Sequence, residues 1–339
     1  MTTINVKNRF FGAMILLLAT GLIFNSCSKD RDDDPNPKTE QTDVYVAGEA
    51  FIGGQYVATV WKNGVATKLG SGADESTANA VFVSGNDVYV AGSEFNASAK
   101  RVAKLWKNGV ATDLTDGTNS ANAFTIFISG SDVYVGGYEI MSGTDRGKIW
   151  KNGKLYWTAP PTANTLREVS SIYVQGTDVY VAGYIGGSGT QYYWVNPTAA
   201  VPKLVNVPDL DNINSLVVSG SDVYTAGSKG TVARYLKNTE VTNLTDGSKD
   251  AACNSIFLSG SDIYAGGFQD PAAKLWKNGI ASNLNGGTKD ARISSVYVWN
   301  NKVYAAGDND NQAVVWENGT PKVLAEKGFA YAVFVVDKK

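Results

Sequence analysis

Alternation of apolar and polar positions dominates the chain after residue 42, and it comes in repeated blocks. The phrase Asp43-Val44-Tyr45-Val46-Ala47-Gly48 returns as DVYVAG from Asp87, DVYVGG from Asp132, DVYVAG from Asp178, DVYTAG from Asp222, DIYAGG from Asp262 and KVYAAG from Lys302. The steps are 44, 45, 46, 44, 40 and 40 residues. A period of this size marks a repeat whose units bury their apolar faces only against one another. Within a unit, Ala80-Val81-Phe82-Val83 alternates, Ser84-Gly85-Asn86-Asp87 turns the chain, and Val88 to Gly92 returns antiparallel. Ala103-Lys104-Leu105-Trp106 then predicts a third strand and Val110 to Leu114 a fourth, joined by Asn108-Gly109. Asn-Gly suits a type I′ hairpin because both residues tolerate positive φ. It recurs at Asn63-Gly64, Asn152-Gly153, Asn278-Gly279 and Asn318-Gly319, whereas Asn196-Pro197 and Asn238-Thr239 require another turn.

Four antiparallel strands per unit of about 40 to 45 residues describe the blade of a β-propeller. The fold class predicted is therefore all-β, a seven-bladed propeller over residues 43–339. The first unit lacks its inner strand, and Ala332 to Val336 at the other end aligns with Ala80 to Ser84. The C-terminal segment is thus expected to close the ring beside Val44 to Gly48.

Three columns refine this picture. Ala80, Thr125, Ser171, Ser215, Ser255, Ser295 and Ala332 are small, as expected where seven inner strands converge on a narrow channel. Trp61, Trp106, Trp150, Trp194, Trp276 and Trp316, with Leu236, recur once per blade on the third strand, which predicts packing between sheets over sugar stacking. Cys253 occupies a position that is apolar in every other repeat, so it is expected to be a buried structural thiol.

A turn, a Tyr followed by small-Gly, and a Trp-bearing third strand together resemble the kelch repeat family, across essentially all of residues 43–339. The Gly-Gly doublet of that family survives only at Gly136-Gly137 and Gly266-Gly267, and the Trp sits on a Lys-Asn-Gly hairpin. The resemblance implies the propeller fold; it carries over no partner and no site residue. There is no Trp-Asp pair of a WD repeat and no sialidase-type Asp box.

The N-terminal segment has a different character. Lys7 and Arg9 precede an apolar run from Phe10 to Phe24, shorter than the roughly 20 residues of a membrane-spanning helix. It ends in Phe24-Asn25-Ser26-Cys27, which resembles the lipobox of bacterial lipoproteins, with Phe24 where Leu is usual. The resemblance implies a signal peptide over 1–26, lipidation at Cys27 and a flexible acidic tether over 27–42. The run Ser28-Lys29-Asp30-Arg31-Asp32-Asp33-Asp34 looks like the export signal that places Bacteroidetes lipoproteins on the outer face of the outer membrane. The expected location is therefore the cell surface, with the membrane reached through the lipid anchor.

Charge and composition narrow the chemistry. The formal net charge is −2 and no basic stretch offers an electrostatic footprint for nucleic acid. The chain contains no histidine, which removes the commonest general base, the Ser-His and Cys-His pairs and the commonest metal ligand together. No cofactor or metal is expected. Asp308-Asn309-Asp310-Asn311 is rich in oxygen but lacks the Gly and distal Glu of an EF-hand loop. The recurrent Asp of the inner turns, at Asp132, Asp222 and Asp262, is expected to accept backbone hydrogen bonds within its turn.

Binding residues are expected on the face that carries the longer loops, after Ala47, Ala91, Gly136 and Ala182 in the first four blades. Glu49, Glu94 and Glu139 follow the small-Gly element there, with Tyr138 and Tyr184 beside them, and form a candidate acidic, aromatic rim; ordinary solvated carboxylates are the alternative. Asn79, Asn214 and Asn254, with Phe124 and Tyr331, share a column at the start of the inner strands and are candidates for the channel mouth, or for satisfying backbone groups nearby. The function expected is non-catalytic binding of an extracellular glycan or protein. The alternatives are a carboxylate-dependent glycan hydrolase or lyase and a structural envelope component.

Overall fold

In a computed structural model of the chain, the residues described are 41–72, 74–162, 165–185, 191–200, 202–284 and 290–338. The segment expected to be a signal peptide, Cys27 and nearly all of the expected tether lie outside them. Seven four-stranded antiparallel sheets follow one another as blades. Blade 1 consists of Gly328–Asp337, Thr42–Ile52, Gln55–Lys62 and Val65–Lys68, from the inner to the outer strand. The C-terminal strand therefore completes the first blade, with Val335 opposite Val44 and Val333 opposite Val46. Blades 2 to 7 each take four consecutive strands, with inner strands Ser76–Ser84, Ala121–Ser129, Leu166–Gln175, Asn212–Ser219, Ala251–Ser259 and Ala291–Trp299.

Seven apolar clusters fill the seven junctions between neighbouring sheets. Trp106, for example, is 1% exposed and packs with Tyr45, Ala47 and Ala58 of blade 1. Trp150 lies against Ala91, Ala103 and Leu105 of blade 2, and Leu236 replaces the Trp at the junction of blades 4 and 5. The Trp column is packing, as its recurrence predicted. Cys253 is buried in the cluster between blades 5 and 6, where burial pushes its thiol up to about 12.

The inner strand of every blade carries a β-bulge against its neighbour. At the shared position the pairing skips Asn79, Phe124, Ser170, Asn214, Asn254, Ser294 and Tyr331, and blade 4 skips Arg167 as well. A bulge leaves its extra residue unpaired and turns it out of the ladder. It also explains the invariant Gly of the repeated phrase. At Gly92, Gly137 and Gly267 a Cβ would collide with the carbonyl oxygens of Thr77, Asn122 and Ala252, which the bulge pushes toward the second strand.

The recurrent Asp does not accept from the backbone of its own turn, as its turn position suggested; at Asp132, Asp222 and Asp262 the carboxylate is taken by side chains of the hairpin between the third and fourth strands. Asp87 accepts from Asn108 Nδ2 (2.8 Å) and from Lys107 Nζ (2.7 Å), while Asn108 Oδ1 accepts from the Val88 N–H (2.9 Å). The same staple joins Asp43 to Lys62 and Asn63, Asp132 to Lys151 and Asn152, Asp222 to Lys237 and Asn238, and Asp262 to Lys277 and Asn278. Each of these asparagines sits at φ between 51° and 56°, so one residue makes the turn and ties it back. Asn196 and Asn238 do the same although no Gly follows them. In blade 7 the charges are exchanged, and Lys302 meets Glu317 at 2.7 Å.

The segments read as long loops are mostly strand. In blades 1 and 3 the second strand runs to Ile52 and Met141 and turns through Gly53-Gly54 and Ser142-Gly143, all four at positive φ. Alternation simply continues past the Gly of the phrase, giving second strands of 11, 9 and 10 residues in blades 1 to 3 against 8 in the later blades. Asp310-Asn311 is likewise a two-residue hairpin turn, with φ of 56° and 64°.

Candidate ligand site at the channel mouth

The bulged residues build the rim of the channel and link one blade to the next. Asn79 Nδ2 donates to the Ala123 carbonyl (2.8 Å), Ser170 Oγ to Ile213 (2.7 Å), Asn214 Nδ2 to Cys253 (3.1 Å) and Asn254 Nδ2 to Ile293 (2.9 Å). One residue further along, the small column makes a second set of ties. The hydroxyls of Ser171, Ser215, Ser255 and Ser295 accept from the N–H groups of Leu216, Ile256, Val296 and Val333 in the following blades, at 2.9 to 3.3 Å. Asn79, Asn214 and Asn254 thus spend their amides on neighbouring backbone.

The ties fail at two junctions. In the bulge column Phe124 has nothing to donate and Tyr331 turns its hydroxyl to Glu49 Oε1 (3.1 Å). In the serine column those blades carry Thr125 and Ala332, which make no such bond. The junctions between blades 1 and 2 and between blades 3 and 4 therefore have neither tie. Between them lies an open depression of about 590 Å³ lined by Glu49, Thr77, Asn79, Arg101, Asn122, Phe124 and Tyr331.

Two aromatic strips flank this depression. On one side Phe124 and Tyr138 lie 5.6 Å apart at 31°. On the other a run extends from the blade 1 hairpin inward, Phe51 to Tyr56 at 5.3 Å, Tyr56 to Phe329 at 5.8 Å, and Phe329 stacked on Tyr331 at 6.3 Å. Deeper in the ring, Tyr173, Phe127, Phe82, Phe334, Tyr297 and Phe257 touch in sequence at 4.5 to 5.8 Å. They form an aromatic belt beneath the mouth, broken by Val217 in blade 5.

Electrostatics distinguish the acidic residues. Burial raises the Glu49 carboxyl above its ordinary range, against the lowering effect of the Tyr331 hydrogen bond. Asp308, at the equivalent position in blade 7, is pushed up to about 6, chiefly by burial. Arg101 is held in place by stacking on Phe95 (4.4 Å) and by donating to Ser93 Oγ (3.1 Å).

The register separates the three glutamates that the sequence groups together. Glu49 lies one residue beyond its Gly, while Glu94 and Glu139 lie two beyond theirs, and successive strand residues face opposite sides. Glu94 is 8% exposed, accepts from the Ser71 N–H (2.6 Å) and lies 3.4 Å from Lys104; Glu139 pairs with Lys148 at 2.9 Å. Tyr184 is 48% exposed on blade 4 and does not line the depression. Of the expected residues, Glu49, Asn79, Phe124 and Tyr331 meet there, with Tyr138 behind Phe124. Arg101, Asn122 and Thr77 were missed. Counting two residues back from the bulge column would have found Thr77 and Asn122, which share its strand face.

The chain is a seven-bladed β-propeller. A solved structure of a protein from Bacteroides uniformis, proposed to be a 6-phosphogluconolactonase, matches with a TM-score of 0.52 at 16% identity, covering 87% of this chain and 99% of that one. The acylaminoacyl peptidase of Pyrococcus horikoshii gives 0.51 at 12% identity over 86% of this chain, which spans about half (52%) of that enzyme. At these identities the likeness is one of fold. No protein-family model matches the chain, and no curated protein matches it.

Proposed function

We propose that this propeller is a non-catalytic, surface-anchored binding lipoprotein that takes an extracellular carbohydrate in the depression over blades 1 to 3. The observation that carries this reading is the pair of aromatic strips, Phe124–Tyr138 and Phe329–Tyr331, flanking the polar groups of Glu49, Arg101 and Asn122. A sugar ring has an apolar C–H face and a polar edge, and a concave site with aromatic walls and a few placed polar groups complements both. A glycan hydrolase would need two carboxyls about 5 to 9.5 Å apart in one pocket. Glu94 and Glu139 are each engaged by a lysine of their own blade, which weighs against that alternative.

The kelch-like repeat accounts for the fold, and the lipobox at Cys27 with its acidic tether for delivery to the outer face of the outer membrane. Two experiments test this. Cys27→Ala is expected to abolish incorporation of labelled fatty acid and to release the protein from the membrane fraction; unchanged labelling contradicts the anchor. The full chain, purified in detergent, is expected to bind members of a glycan array, and Phe124→Ala to weaken that binding by about tenfold or more, as loss of an aromatic anchor does. An array without a single saccharide ligand overturns the binding function.

A further inference from the structure

One amide that lines the depression, that of Asn122, has no protein acceptor for its NH2 group among the described residues. The Thr77 hydroxyl donates to Asn79 Oδ1 (2.9 Å), and Asn79 Nδ2 donates to both the Ala123 carbonyl (2.8 Å) and Asn122 Oδ1 (3.0 Å). The Ala123 carbonyl can only accept, so it fixes the orientation of Asn79, and Asn79 in turn fixes that of Asn122. Asn122 must present its oxygen to Asn79 and its NH2 group elsewhere. The residue is 8% exposed, its NH2 has no protein partner, and it lines the depression. The amide opens onto the depression, so a ligand held there can accept from it in place of water.

Its surroundings indicate what that acceptor carries. Asn122 lies directly across the strand pair from Tyr138, whose ring packs on Phe124, so an apolar platform adjoins the donor. On the blade 1 side, the Glu49 carboxylate accepts from Tyr331 and is also approached by the Thr77 hydroxyl and attracted by Arg101, yet its two oxygens have acceptor capacity beyond these and face the same space. A donor, an acceptor and an apolar platform around one depression match a planar group that offers a carbonyl, an N–H and a methyl. Resting on the carbohydrate reading above, we propose that the depression selects saccharides bearing an acetamido group. The carbonyl accepts from Asn122, the N–H donates to Glu49 and the methyl lies on Phe124 and Tyr138. A plain hydroxyl can meet Asn122 or Glu49 but leaves the aromatic platform uncovered.

The test uses the full chain in detergent and paired oligosaccharides of equal linkage, N-acetylhexosamine members such as chitotriose against hexose members such as cellotriose, with an acetyl-lysine peptide as a third arm. The expected result is a preference of about tenfold or more for the acetamido members, the order of one hydrogen bond plus a methyl contact. Asn122→Ala is expected to reduce that preference toward unity. Because the preference is a ratio within one protein sample, partial misfolding of the variant does not change it. Saccharide binding without an acetamido preference, or a preference untouched by Asn122→Ala, overturns this inference and leaves the carbohydrate function standing. Equal affinity for the acetyl-lysine peptide overturns the saccharide assignment, and binding to no saccharide overturns both.

Discussion

Removing the closing strand gives the most demanding test of the ring. Deleting Gly328 to Lys339 takes away Val333 and Val335, which are 4% and 0% exposed, together with Phe334, which lies 4.5 Å from Phe82 and 4.8 Å from Tyr297. Two fully buried valines contribute about 3 to 6 kcal/mol, and the two aromatic contacts about 0.5 to 1.5 kcal/mol each. The total is comparable with the whole stability of a typical domain, about 5 to 15 kcal/mol. The deletion also exposes the edge of Thr42–Ile52, an unpaired template for aggregation. The truncated chain is expected to lose its cooperative calorimetric transition and to aggregate, and a peptide of residues 328–339 added in trans to restore part of the transition. A cooperative melt at the full-length temperature would refute the closure.

Three further outcomes follow from the geometry. Gly267→Ala places a Cβ against the Ala252 carbonyl and is expected to destabilise by about 1 to 3 kcal/mol or more in chemical denaturation, whereas Gly279→Ala, where a Cβ has open space, costs only the strain of its positive φ, about 1 to 2 kcal/mol. Lys302→Glu and Glu317→Lys are each expected to destabilise and the double variant to recover, with a coupling below about 1 kcal/mol because both side chains are about half exposed; simple additivity would contradict the staple. Asp308 binds its proton more tightly folded, at about 6 against an ordinary 3.8, so its contribution is fullest below that ordinary value and is lost as pH rises through 6. Asp308→Asn should therefore stabilise the protein more at pH 7 than at pH 4; the opposite order in denaturant titrations would contradict the assignment.

The repeat register, the ring closure and the Trp packing were legible because each follows from alternation repeated seven times. The bulge was not, since an extra residue such as Asn254 breaks alternation by one position and looks the same as an ordinary strand residue until its partner strand is paired. Its trace was present in the invariant Gly, whose missing Cβ makes room for a carbonyl. The staple was hidden for a related reason: Asp262 and Lys277 are 15 residues apart and meet only across two strands. Among site residues, Phe124 and Tyr331 stood out as aromatics in a column of Asn and Ser. Glu94 and Glu139 were grouped with Glu49 by closeness to Gly, although a one-residue offset sends them to the other side of the sheet. Asn122 and Arg101 gave no sign because their importance depends on what neighbouring side chains leave unsatisfied.

A crystal structure of the protein with a saccharide selected on the array shows whether the depression over blades 1 to 3 is the ligand site. The sugar is expected against Phe124 and Tyr138, with a polar atom within hydrogen-bond distance of Asn122. A sugar on the opposite face, against Tyr156 and Lys151 for example, with the depression left empty, would contradict it.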